Sequence, residues 1–135
     1  MNRFIVLIAA LLFFVSGCGT MENVTKPENK RTLILNKSLG VSYRVILSQL
    51  QKCLTPSFTG TIYPDNQTAR IFITDGGGTV GDVHDLKGLD NNQTELSYYK
   101  DLCLFCSDSG ADRHLEKVKQ WVNDNQVECL ITNTQ

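Results

Sequence analysis

The sequence has no excess of charge of either sign: 13 Lys+Arg stand against 14 Asp+Glu over 135 residues, a formal net charge of −1. That excludes the basic footprint by which a protein holds nucleic-acid phosphates. It also excludes the one-signed runs of a disordered polar tail. Proline is scarce, at three residues, and there is no internal repeat and no low-complexity segment. Long apolar runs are missing as well. The longest, residues 4–15 (FIVLIAALLFFV), is shorter than the roughly 20 residues a bilayer-spanning helix needs. A multi-pass membrane protein is thereby excluded. With 41% apolar and 20% charged residues, the composition is that of a small globular protein.

What is present at the N-terminus is an export signal. Arg3 supplies a positive n-region, and the apolar run has the length of a secretory h-region. The tetrapeptide that follows it, Val15-Ser16-Gly17-Cys18, resembles the lipobox of bacterial lipoproteins. The resemblance covers about twenty residues and the motif is specific. It implies cleavage before Cys18, a thioether-linked diacylglycerol on the Cys18 sulfur and acylation of the new amino group. Several acyl chains on one residue exceed the roughly two signals that stable anchoring takes. Gly19 stands where an Asp implies inner-membrane retention, so the resemblance points to the outer membrane, with the chain facing the periplasm. The plainer alternative is an ordinary secretory signal, with Cys18 a disulfide partner in the processed chain. Loss of residues 1–17 removes Arg3 and leaves a net charge of −2, which offers no attraction to anionic lipid or DNA.

Lipidation of Cys18 also resolves an odd cysteine count. Of five cysteines, Cys53, Cys103, Cys106 and Cys129 remain. In an oxidising compartment four thiols make up to two disulfides, with three possible connectivities.

Residues 19–31 (GTMENVTKPENKR) have no apolar periodicity. They read as a flexible tether running from the lipidated residue 18 to 31, with a reach of about 45 Å at 3.3–3.6 Å per residue. A single domain is then expected over 32–135. Thr32 to Asn36 reads as a strand. Ser38 can cap a helix whose apolar stripe is Tyr43, Ile46, Leu47, Leu50 and Leu54, and Pro56 ends it. Residues 60–63 and 69–74 read as a hairpin around Pro64-Asp65-Asn66. A weaker strand covers 79–86 and a better one 94–105, with Leu96, Tyr98, Leu102 and Leu104 on one face. Leu115, Val118, Trp121 and Val122 form the stripe of a second helix, and Val127, Cys129 and Ile131 alternate as a last strand. The order β-α-β-β-β-β-α-β predicts an α+β fold: a mainly antiparallel sheet with two helices packed on one face.

A first helix carrying Tyr43-Arg44 and ending at Cys53, with Trp121 ahead of Cys129, is similar to short uncharacterised Gram-negative lipoproteins. The resemblance covers most of residues 38–129 and rests on few positions. It implies a Cys53–Cys129 disulfide and no known activity. Cys103 and Cys106 are additions to that pattern.

Cys103-Leu104-Phe105-Cys106 invites a redox reading. A C-x-x-C is redox-active when its first thiol sits at a helix N-terminus inside a thioredoxin-like unit. Here the motif comes late, Ser107 to Gly110 separate it from the helix, and Asp101 and Asp108 oppose a thiolate. Structural cysteines of unassigned pairing are the better reading. Cys103, Cys106, His114 and Cys129 also have a zinc-like spacing, but oxidation competes with metallation in an exported protein, and no metal or other cofactor is expected. Asp82, His84 and Asp85 sit close enough in sequence for acid–base work, yet a charged strand edge explains them more simply. Asp75 to Thr79 reads as a tight turn rather than an anion-binding nest, having neither the P-loop spacing nor a following helix. Tyr98 and Tyr99 must point to opposite faces of their strand. No catalytic residue stands out.

The expectation is an outer-membrane lipoprotein, held by the lipid on Cys18, that binds or helps assemble another envelope component without being an enzyme. The alternatives are a thiol–disulfide protein using Cys103 and Cys106, and an inhibitor of a cell-wall hydrolase.

Overall fold

A computed structural model describes residues 19–74, 77–100 and 110–129. In chain order the elements are helix α1 (Met21–Val24), strand β1 (Lys30–Leu35), helix α2 (Leu39–Cys53), strands β2 (Phe58–Tyr63), β3 (Thr68–Thr74), β4 (Val80–Gly88) and β5 (Thr94–Tyr99), and helix α3 (Ala111–Asn123). One-turn 3₁₀ segments at Pro27–Asn29 and Pro64–Asn66 join α1 to β1 and β2 to β3. The five strands form one sheet in the order β1-β5-β4-β3-β2, antiparallel throughout. The fold is α+β, as the order of periodicities predicts.

Each long helix follows from its sequence. Ser38 stands at the N-cap of α2; its carbonyl accepts from the Ser42 N–H at 2.9 Å, while its hydroxyl makes no capping bond. The Lys37 carbonyl accepts from the hydroxyls of Ser42 (3.3 Å) and Thr94 (2.8 Å), which fixes where α2 leaves the sheet. Ile46 and Leu50 of the predicted stripe are fully buried, with Tyr43 and Leu47 packed against the same core. Leu54, at the C-cap, is exposed instead. From α3 come Val118, Trp121 and Val122, again as the stripe predicts. Both helices meet Leu35, Phe58, Ala69, Ile71, Leu86 and Leu96 on one face of the sheet. Gly60 leaves room for the Tyr43 ring: a Cβ at this position would lie 2.8 Å from the Tyr43 hydroxyl oxygen and push the ring aside.

Two expectations are corrected. The first is the tether. Residues 20–29 fold onto the sheet, and β1 starts at Lys30, two residues earlier than the periodicity indicates. Thr20 caps α1 by accepting from the Asn23 N–H at 3.3 Å. The Asn29 side-chain amide donates to the carbonyls of Asn23 (3.2 Å) and Val24 (3.1 Å), which satisfies the far end of α1 and turns the chain into β1. Val24 is fully buried against Val80 and Val83, on the face opposite the helices. One apolar residue with Met21 beside it leaves no periodicity to detect, yet suffices to dock a single turn.

The second is the last strand. Residues 125–129 form no strand. The chain reverses after α3 through Asn125, in the left-handed region at φ 54, and stays in the helix layer. The Trp121 indole N–H donates to the Glu128 carbonyl at 3.0 Å. Cys129 then forms a disulfide with Cys53 at the end of α2, Cα to Cα 5.1 Å. The alternation of Val127 and Cys129 is a coincidence of a tail held by its own helix. The bridge is the pairing implied by the lipoprotein resemblance. The outer parts of two predicted strands, residues 101–105 and 130–131, lie outside the described residues.

The bridge closes a loop of 76 residues, worth about 4 kcal/mol in the chain-entropy account. C53A/C129A should therefore lose about 4 kcal/mol of unfolding free energy in guanidinium titrations followed by Trp121 fluorescence. An unchanged midpoint would contradict the account.

Candidate functional site

The face of the sheet opposite α2 and α3 is divided in two by its own sequence. In cross-strand register, Phe72 lies opposite Val83 and Val83 opposite Tyr99. These three, with Val80, Met21 and Val24, make a small second apolar cluster. Val80 and Val83 are three apart and would normally point to opposite faces. A register shift between β3 and β4 pairs Phe72 with Val83 but Thr74 with Val80, so β4 carries one extra residue there. This bulge brings both valines to one face and gives α1 its seat.

The rows beyond that cluster are polar. Arg70 lies opposite Asp85, and Asp85 opposite Ser97. In the next row Thr68 lies opposite Lys87 and Lys87 opposite Glu95. Arg70 and Asp85 form a two-pronged ion pair, Nε to Oδ1 at 2.6 Å and Nη2 to Oδ2 at 2.7 Å. The hydrogen bonds that Arg70 donates to Asp85 are the main cause that raises the Arg70 pKa above its usual value. Tyr63, Arg70, Asp85, Lys87, Glu95 and Tyr99 line an open groove of about 360 Å³. Both signs of charge and two phenol rings line it on rigid strands. This chemistry suits reversible contact with a polar, extended partner better than enclosure of an apolar molecule.

The predicted Asp82, His84 and Asp85 grouping does not converge. Asp85 points into the groove with Arg70, while His84 is fully buried on the opposite, helix-bearing face. Burial, then the charge of Asp82 and the hydrogen bond that Asp82 accepts from the Tyr98 hydroxyl, hold the Tyr98 pKa well above its ordinary value. Tyr98 and Tyr99 diverge as strand geometry demands: Tyr98 is buried beneath α3 and Tyr99 lines the groove. In the Gly-rich turn, Gly78 takes φ 82, the left-handed conformation of a tight turn. Asp75 and Gly76 lie outside the described residues, as do Cys18, Cys103 and Cys106. Among the described residues, no group of three or more His, Cys, Asp and Glu is placed to hold a metal ion. No described helix is long and apolar enough to cross a membrane.

Sequence reasoning misses a buried histidine pair. His84 of β4 and His114 of α3 bring their Nε2 atoms to 2.8 Å, so one ring donates and the other accepts. Both rings pack against Tyr98, with centroids 4.9 and 4.7 Å away, and Phe58 and Trp121 close the site edge-on. The Nδ1 of His84 is buried without a hydrogen-bond partner. Burial holds the His84 pKa well below its ordinary value, assisted by the charge of His114. Burial, then the Lys100 ammonium, pushes His114 down to about 4. At neutral pH both rings are uncharged and the pair is a joint between helix and sheet. The signal was in the periodicity: His84 alternates with Leu86, and His114 extends the Val118 and Trp121 stripe by one turn.

No protein-family model matches the chain, and no curated protein matches it either.

The pair makes stability depend on pH. Unfolded, each ring titrates near 6.5, and folded each titrates lower. Between pH 6.5 and about 4 the unfolded chain therefore binds more protons, and stability falls as pH falls. The unfolding free energy should be flat above pH 7. It should then drop with a slope approaching about 1.4 kcal/mol per pH unit for each ring kept neutral. His114→Gln removes one titrating ring and should make the slope shallower. A profile flat to pH 4 would contradict the account.

Proposed function

We propose that the chain is an outer-membrane lipoprotein, anchored through the lipid on Cys18, whose periplasm-facing domain is a non-enzymatic binding or assembly module for another envelope component. The observation that carries the binding part is the groove on the face opposite α2 and α3. Charged and aromatic side chains from four adjacent strands, β2 to β5, converge there, outside the core that holds the fold together. The Cys53–Cys129 disulfide supports an oxidising compartment, since such bridges persist outside the reducing cytosol. The lipobox resemblance supports the anchor. The ion pair of Arg70 with Asp85 supports a surface kept rigid for contact, because a bidentate pair across two strands fixes both side chains.

A photo-crosslinking amino acid tests this. Thr61 lies exposed on β2 opposite Arg70, and Arg44 lies exposed on α2 in the other layer. In intact envelopes, a probe at Thr61 should give one defined protein adduct and a probe at Arg44 none. The adduct should fall several-fold when the groove residues Tyr63 and Lys87, both exposed, are changed to alanine. Equal adducts from both positions, or an adduct indifferent to those substitutions, would overturn the assignment of the groove.

A further inference from the structure

The folding of residues 19–29 removes the leash on which the domain would otherwise hang. The Gly19 carbonyl accepts from the Val80 N–H at 2.6 Å, and Gly19 itself is buried. Thr20 caps α1, Val24 is buried in the outer cluster, Asn29 ties the end of α1, and Lys30 already pairs with Tyr99. Between Gly19 and Lys30 the chain is tied to the sheet at successive points, which leaves no free leash there.

We infer that the acylated domain sits flush on the bilayer, with the β3–β4 turn end of its sheet against the lipid surface and its groove directed away from it. This rests on the reading of Cys18 as the site of lipid attachment. Cys18 is one residue from Gly19, and consecutive Cα atoms are about 3.8 Å apart. The acyl chains therefore leave the domain at the start of β4. An unfolded tether of the same length would have allowed a stand-off of about 45 Å.

Strand direction says what else lies at that end. β4 is antiparallel to β3 and β5, and β1 is antiparallel to β5. The starts of β4 and β1 and the ends of β3 and β5 therefore share it. The exposed Lys26 and Lys30 lie there. They are matched along the same segment by Glu22 and Glu28, so the seating is assigned to the covalent anchor. At the other end are Lys37, just past β1, and Lys87, near the end of β4. Lys87 is seven residues along β4 from Val80, roughly 23 Å at the rise of a strand. The charged rows of the groove are thus presented to the periplasm rather than to the headgroups. The occupant of the seated end is a phospholipid surface.

Lysine footprinting on the full-length, acylated protein tests the inference. The protein is reconstituted in vesicles of phosphatidylethanolamine and phosphatidylglycerol and labelled with a membrane-impermeant amine-acetylating reagent. Detergent-solubilised protein serves as reference. Lys26 and Lys30 should label several-fold more slowly on vesicles than in detergent, while Lys37 and Lys87 label at the same rate in both. A twelve-residue Gly/Ser spacer inserted between Cys18 and Gly19, able to reach about 40 Å, should return Lys26 and Lys30 to the detergent rate. Equal labelling of all four lysines on vesicles, or protection of Lys37 and Lys87 instead, overturns the seating. The mass of the peptide beginning at Cys18 separates the two failures. An acylated peptide with no protection overturns the seating alone. A peptide without acyl groups overturns the anchor and the seating together.

Discussion

A five-stranded sheet has two faces, and the two long helices among the described residues, α2 and α3, pack on the same one. The opposite face must be made compatible with water by other means, and the structure divides the work. Next to the bulge in β4, where Val80, Val83, Phe72 and Tyr99 come together, the N-terminal segment lays Met21 and Val24 across the apolar surface. Fully burying one valine side chain is worth about 1.5–3 kcal/mol. That is enough to dock a one-turn helix whose ends are already satisfied by Thr20 and Asn29. Toward the far end of the same strands the face is polar and is left open. The covered half holds the N-terminal segment in place and the open half is left polar, so one bulge fixes both where that segment docks and how far the candidate binding surface extends.

The helix-bearing face shows a different compromise. Trp121 packs in the core and holds the following tail through its indole N–H, and the tail in turn places Cys129 beside Cys53. The second helix is thereby tied to the first by a covalent bond at one end. Closer to its start it is tied to the sheet by the His84–His114 contact. Two apolar residues would fill that position without a pH dependence. Imidazoles there couple the helix–sheet joint to acidity, because charging either ring in this site costs its desolvation.

Much of this was legible. Ile46 and Leu50, and Val118, Trp121 and Val122, announce their helices because helix stripes are local, set by residues three and four apart. The hairpin around Pro64 and Asn66 is equally local. The divergence of Tyr98 and Tyr99 follows from strand geometry alone. What the sequence hid depends on register or on distant partners. Val80 and Val83 share a face only because of the bulge. Arg70 meets Asp85 only once β3 and β4 are aligned. His84 and His114 are 30 residues apart, and each looks on its own like one more core position. Val24 carries no period at all. The tail after α3 misled in the other direction, since Val127 and Cys129 alternate like a strand while their backbone belongs to the helix layer.

The account turns on the N-terminal segment closing the apolar half of the open face, and nuclear magnetic resonance of the isotopically labelled protein addresses that contact directly. The structure predicts nuclear Overhauser effects between the methyl groups of Val24 and those of Val80 and Val83. It also predicts slow exchange of the Val80 amide proton, which the Gly19 carbonyl holds. Rapid exchange at Val80, with no Val24 methyl contacts to the sheet, would contradict it and return residues 19–29 to the role of a tether.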